Sequence, residues 1–358
     1  MIARSAVTCK YPPGTLLSRS TVTRFPGLPV FLTLLALSFI PRHLSAQNIE
    51  AVGSRALGMG GAFVAVANDS SATWWNPAGL APGPFLDIAV GGAATDIDGS
   101  LPARSERGIW FAFTTPPIGF SYYRLNIRDI GQIRTIGSAV GGREDRRVAV
   151  QDWSLSASQF GATLVHTVVS GVHVGTTLKY VRAKGLEGEV TGPETTTVSE
   201  WLDQVDGSVG GDVHNDFDLD LGVLAVRGPV RLGGVVRNLL EVDLGAVKIP
   251  RQARIGAAFD ASEVGARALL VSADVDVLAY ETPFGDRRVV AVGSEGWVLG
   301  RRLGIRAGAR FNTTGAEEQA YTAGASVAVR SGMFVDGHVV FGGADDESGW
   351  GITARASF

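Results

Sequence analysis

Gly349–Phe358 reads G-W-G-I-T-A-R-A-S-F. Trp350, Ile352, Ala354, Ala356 and Phe358 share one parity, and Thr353, Arg355 and Ser357 share the other. Alternate residues of a β-strand point to opposite faces, so this segment has an apolar face ending in an aromatic and a polar face. The same two-residue period recurs many times upstream, with no long helix to cover it. An apolar outside and a polar inside, repeated strand after strand, predict an all-β fold: a transmembrane antiparallel β-barrel.

Upstream of that segment, alternation and bounding turn residues predict strands near 85–93, 107–115, 117–126, 151–168, 171–184, 216–226 and 229–239. More follow near 250–259, 267–280, 288–299, 302–311, 320–330 and 332–342, and residues 349–358 complete a set of about fourteen. The connections alternate in length. Pro116-Pro117, Ser170-Gly171, Arg227-Gly228, Gly300-Arg301 and Ser331-Gly332 are minimal, and Asp260 to Ala266 is somewhat longer. The intervening set includes the long stretches 127–150 and 185–215. Short turns at one rim and long loops at the other are the habit of outer-membrane barrels, which predicts periplasmic termini and extracellular long loops. No apolar stretch after residue 46 reaches 18 residues, so helices cannot cross, and a closed barrel must satisfy the backbone in lipid.

An arginine facing lipid at mid-membrane costs about 2–4 kcal/mol, so the parity that carries arginine points inward. This rule places Asp218, Asp220, Arg231, Arg237, Arg254, Asp274, Asp276, Arg306, Arg310, Asp336 and Arg355 in the lumen. The aspartates of 216–226 neighbour the arginines of 229–239, and Arg254 neighbours Asp274 and Asp276. Cross-strand ion pairs that fill and stiffen the lumen are the expected outcome, with solute selectivity the competing one. Trp110, Trp153, Trp297 and Trp350 suit interfacial girdles, and Gly233-Gly234 suits a barrel bend.

Residues 1–27 carry Arg4, Lys10, Arg19 and Arg24 and no acid, and the thirteen residues from Leu28 to Ile40 are apolar. That run is too short for a membrane helix and fits a signal-peptide core, with cleavage expected after Ala46. Removing residues 1–46 takes away five basic residues and no acid, moving the formal charge from −3 to −8. A mildly acidic exported chain makes a poor nucleic-acid binder. Cys9, the only cysteine, leaves with the same segment, so disulfides, thiol chemistry and cysteine-based metal sites are not expected. His166, His173, His214 and His338 do not cluster at ligand spacing, and no G-x-S-x-G nucleophile setting occurs. No catalytic residue, metal or cofactor is therefore expected.

Residues 47–84 break the strand series. From Ser54 to Leu80 the chain reads S-R-A-L-G-M-G-G-A-F-V-A-V-A-N-D-S-S-A-T-W-W-N-P-A-G-L. Gly58, Gly60 and Gly61 permit a tight, closely approached backbone. Phe63 to Ala67 predicts a short extended run, and Asn68 or Asp69 can cap a short helix through Trp75. Asn76 precedes Pro77 and is pushed out of helical geometry, which ends that helix. Three divisions follow: a signal peptide over 1–46, a compact hatch over 47–84 and a barrel over 85–358.

The glycine-rich run, then A-N-D-S-S, then N-P-A, resembles the N-terminal hatch of FadL-like outer-membrane transporters. The forms R-A-L-G-M-G-G-A and W-N-P-A-G-L look closer still to the PorV/PorQ-type branch of that superfamily. The resemblance implies a fourteen-stranded barrel plugged by a hatch that contains Asn76, Pro77 and Ala78, with Asp69 at an acidic position of the pattern. Trp74 and Trp75 are expected to pack the plug against the wall, or to line a substrate path. Trp350, Ile352 and Phe358 resemble the C-terminal signal read by the outer-membrane barrel-assembly machinery.

These readings define two functional expectations. The first is passive uptake of a hydrophobic or amphipathic small molecule, such as a long-chain fatty acid, gated by the hatch. The second is a PorV-like platform in the outer-membrane lipid for a secretion-system or surface-attached protein. The loops 127–150 and 185–215 are polar and charged, which weighs against fatty acid as the specific cargo.

Overall fold

The computed structural model describes residues 52–98, 101–136, 147–206, 212–242, 249–265, 268–282, 285–315, 319–342 and 347–358. The expected signal peptide lies outside these residues. The strands, in chain order, are β1 (Asp87–Ile97), β2 (Ala103–Thr115), β3 (Ile118–Ile136), β4 (Arg147–Val169), β5 (Val172–Pro193) and β6 (Val213–Arg227). They continue with β7 (Val230–Arg237), β8 (Gln252–Asp260), β9 (Leu269–Asp276), β10 (Tyr280–Thr282), β11 (Gly285–Arg287) and β12 (Val289–Val298). The series ends with β13 (Leu303–Asn312), β14 (Gln319–Arg330), β15 (Met333–Gly342) and β16 (Glu347–Ser357). Strands β10 and β11 form a separate small hairpin, and the other fourteen close into one antiparallel barrel, in which β1 pairs with both β2 and β16.

Each predicted segment falls on one barrel strand, because alternation is the signature of a wall with two unlike faces. Phe217, Ile305, Phe341 and Trp350 project outward and are exposed, while Asp218, Arg306 and His338 point inward and are buried. The lengths differ from the sequence reading in one region. Strands β3, β4 and β5 have 19, 23 and 22 residues, so most of the expected loop 127–150, and the first part of 185–215, is strand. At ~3.4 Å per residue, β4 is roughly 75 Å long, far more than the apolar band of a membrane barrel. A local core supports this extension. Ala103, Ile130, Val148 and Val150 pack with Trp201 and Leu202 of helix α3 (Val198–Asp206). The register shift between Ile130 and Ile133 interrupts the alternation that would have revealed the strand in sequence.

The tryptophans also depart from expectation. Trp110 is buried in the core cluster, Trp153 packs beside it, and Trp297 lies edge-on to Phe334 with Arg306 over its ring. Of the four, Trp350 alone is exposed on the outer face, at 61%. Parity decides this: Trp110 shares its face with Ala112 and Thr114, opposite Phe111 and Ile109. The outer aromatic row is built instead from Phe111, Tyr122, Phe160, Tyr180 and Phe217, which are direct cross-strand neighbours across β2–β6.

Candidate functional site

The lumen is filled by residues 52–80, of which only Arg55 and Asn68 are not fully buried. This hatch holds two single-turn helices, α1 (Ser54–Leu57) and α2 (Ala72–Trp75), followed by a 3₁₀ turn over Pro77–Leu80. Phe63–Ala67 is a turn and not the extended run expected: the Val66 and Ala67 N–H groups both donate to the Phe63 carbonyl. Turn hydrogen bonds and side chains from outside the segment satisfy its backbone, so it has no need of a strand partner. Asp69 accepts from the N–H and hydroxyl of Ser71 at 3.0 and 2.5 Å, and Asn76 is extended at φ −164°, which ends α2.

Wall side chains reach in and hold the hatch backbone. One Asp274 oxygen accepts the N–H groups of Phe63 and Val64 at 2.7 and 2.8 Å. The Ser70 N–H donates to Asp87, and the Ser54 N–H to the Thr353 hydroxyl. The Asn76 amide donates to the Val64 carbonyl in the hatch at 2.9 Å and to the Val223 carbonyl in the wall at 3.0 Å, and its oxygen accepts from the Ala78 N–H. Thr73 and Tyr123 share a hydroxyl contact at 2.5 Å, and Trp74 lies edge-on to Tyr123. The Arg237 guanidinium sits over the rings of both Trp74 and Trp75.

A chain of charges ties the hatch to one side of the barrel. Arg55 meets Asp69 at 3.1 Å and Glu295 at 2.6 Å; Arg306 meets Glu295 at 2.9 Å and Asp336 at 3.6 Å; Arg355 meets Asp336 at 3.3 Å. Burial opposes charge on Arg55, but the fields of Glu295 and Asp69 outweigh it and hold the guanidinium above its ordinary value. Burial likewise pushes Asp69 up, and the fields of Arg55 and Arg355 with the Ser71 hydroxyl outweigh it and hold the carboxyl below its ordinary value.

The remaining predicted lumenal charges are placed as follows. Asp218 and Asp220 contact Lys179 at 3.0 and 2.6 Å. Arg254 pairs with Asp276 at 2.6 Å, while Asp274 is given over to the hatch. Arg231 pairs with Asp260, and Arg310 with Glu347. Arg55, Glu295, Lys179 and Tyr123 were not singled out in sequence, although Glu295 is the one acid within β12 and sits on its inward parity.

The wall against the hatch carries glycines in cross-strand pairs. Gly175 faces Gly222, Gly233 faces Gly256 and Gly293 faces Gly308 as direct cross-strand pairs. A Cβ on Gly233 would lie 2.5 Å from the Val64 carbonyl oxygen, one on Gly222 2.2 Å from the Asn76 side-chain oxygen, and one on Gly308 2.2 Å from the Met59 carbonyl carbon. These glycines seat the hatch against the wall. On the hatch side, Gly60 has φ 68°, and a Cβ there would come within 2.8 Å of the Ala309 backbone.

The fold and its filling define a class: a closed fourteen-strand barrel stoppered by its own N-terminal segment. Solved structures share this fold. They include the Ralstonia pickettii toluene transporter TbuX, at 14% identity and TM-score 0.59 over 87% of this chain and 99% of that one. The CymD monoaromatic hydrocarbon channel matches at 14% identity and TM-score 0.56 over 87% and 99%. A Pseudomonas aeruginosa FadL homologue matches at 11% and 0.55 over 88% and 100%. No protein-family model and no curated protein matches the sequence.

Proposed function

We propose that this chain is an outer-membrane barrel that passes a hydrophobic or amphipathic small molecule, with residues 52–80 as the gate. The observation that carries the reading is the pairing of an apolar-faced closed barrel with a lumen stoppered by hatch. The solved proteins of the same fold include a toluene transporter and a monoaromatic hydrocarbon channel, which supports an apolar cargo. In the reading, the short-turn rim and both termini are periplasmic, and the extension of β3–β5 is extracellular. The cavities beside the hatch bear polar side chains, among them Thr95, Glu106 and Glu347 in one and Gln159, Lys179 and Asp220 in the other. Passage therefore requires the hatch to shift, and Asn76, which bridges hatch and wall, holds the closed form.

The test is flux through the purified barrel in liposomes. Wild type and Asn76→Ala/Pro77→Ala are compared with an aromatic hydrocarbon, a fluorescent long-chain fatty acid and a small polar solute. Flux of an apolar probe in wild type, altered by the hatch substitutions, supports the reading. Folded barrel that passes none of the probes overturns it and favours the platform role for a secretion or surface protein.

A further inference from the structure

The outer face of β2–β6 carries two more rungs above its aromatic row, toward the long-loop rim. The first rung is Ile109, Arg124, Ser158, Arg182 and Asn215, each the direct cross-strand neighbour of the next. The second is Arg107, Asn126, Ser156, Lys184 and Val213. Arg128 follows on the outward parity of β3. The side chains of Arg124, Arg182 and Lys184 are on exposed positions, next to the exposed rings of Phe160 and Phe217.

Strand spacing puts Arg124 and Arg182 roughly 10 Å apart across Ser158, with Lys184 one rung, about 7 Å, further along. Arg107 of the second rung pairs with Asp96 at 2.8 Å. Among the described residues, no carboxylate lies within ion-pair distance of Arg124, Arg182 or Lys184. Such a row repels itself and faces the zone where an apolar wall gives way to headgroups, as the aromatic row marks. Serine and asparagine fill the positions between the cations, supplying further hydrogen-bond donors without adding charge. Arginine forks and lysine ammonium groups at this spacing suit phosphate oxygens.

We propose that the outward face of β2–β6 binds the phosphates of an anionic glycolipid in the outer leaflet, with Arg124, Arg182 and Lys184 as the principal contacts and the aromatic row against its acyl chains. The proposal rests on the membrane placement and orientation of the proposed function, and not on transport. Loss of flux leaves it standing, whereas a long-loop rim in the periplasm removes it.

The test titrates purified mature barrel in detergent with diphosphoryl lipid A, fully dephosphorylated lipid A or phosphatidylglycerol, with bound lipid counted by native mass spectrometry. Wild type is expected to retain diphosphoryl lipid A over the other two. The triple variant Arg124→Gln/Arg182→Gln/Lys184→Gln is expected to retain it at least about tenfold less well, because each surface cation contributes separately to anionic-lipid attraction. Arg134→Gln, exposed but outside the patch, is expected to behave as wild type. Heat-modifiable electrophoretic mobility reports folding of each variant, and single substitutions of Arg182 and Lys184, each expected to weaken retention, replace the triple if it does not fold. Equal retention by the substituted barrels, or equal retention of dephosphorylated lipid, overturns the proposal. Preference for phosphatidylglycerol overturns the glycolipid assignment.

Discussion

Arg55 of the hatch and Glu295 of the wall stand 240 positions apart in sequence and meet through three hydrogen bonds of 2.6 to 3.1 Å. Glu295 also carries Arg306, which reaches it from the next strand. One carboxylate thus answers two buried guanidinium groups, one from the plug and one from the barrel.

That asymmetry orders two substitutions. Removing one partner of a buried pair costs about 3–5 kcal/mol, chiefly from the charge left behind. Glu295→Gln takes the nearer carboxylate from two buried cations, leaving Arg55 with Asp69 and Arg306 with Asp336 at 3.6 Å, whereas Arg55→Met leaves Glu295 still paired with Arg306. Glu295→Gln is therefore expected to loosen the hatch more than Arg55→Met, read as protease cleavage within residues 52–80 of the folded barrel. The reverse order would show that the hatch is held elsewhere.

Asp274 anchors the hatch through backbone, with one oxygen serving two N–H groups. Asp274→Ala leaves the buried Val64 N–H without an acceptor, at about 1–3 kcal/mol, and the Phe63 N–H with the Gly61 carbonyl alone, while Asp274→Asn keeps an oxygen in place. Leakage of a small polar solute from proteoliposomes is expected to rise in the order wild type, Asn, Ala. Unchanged leakage in the alanine variant would mean that this contact does not seal the lumen.

The glycine seats predict a sharp contrast between neighbours. Gly233 abuts the Val64 carbonyl, whereas nothing lies within 4 Å of a Cβ on Gly234. Gly233→Val is expected to destabilise by about 1–3 kcal/mol through overpacking, and Gly234→Val, on the outward face, to be near neutral. Urea unfolding of the two variants in one detergent measures both. Similar losses at the two positions would refute the seating.

Asp69 gives the hatch clamp a pH dependence of definite sign. Its folded value is held below the ordinary 3.8, after the Arg55 and Arg355 fields overcome burial. A depressed carboxylate adds stability above its unfolded value and loses it as pH falls through the folded one. The clamp is therefore at full strength near neutrality and weakens only below about pH 4. Protease release of the hatch in wild type is expected to increase across that acid range. Asp69→Asn should show a looser hatch at neutral pH and a smaller acid response; an acid response equal to that of wild type would exclude Asp69 as its source.

The wall was legible because a two-faced strand writes its period into the chain locally. Arg306 and Asp336 declare their side by parity alone, and the order of the strands follows from hairpin connectivity. The extension of β3–β5 was not, since the offset between Ile130 and Ile133 breaks the period within it. Asn76 was marked by its place before proline, but its bond to the Val223 carbonyl depends on tertiary register. The same holds for Arg55 and Glu295, and for Lys179 beside Asp218 and Asp220: parity shows which side chains enter the lumen, and not which of them meet.

The paired glycines Gly175 with Gly222, Gly233 with Gly256, and Gly293 with Gly308 carry a consequence for an emptied lumen. Side chains can swing aside to widen or narrow a passage, and peptide planes locked in a sheet cannot. Under the proposed gating, a cargo would pass these six positions against naked main chain, whose carbonyl and amide groups are already spent on neighbouring strands. The bore there is a fixed dimension of the barrel: it has no rotamers to gate it, and only replacement of the glycines themselves can resize it.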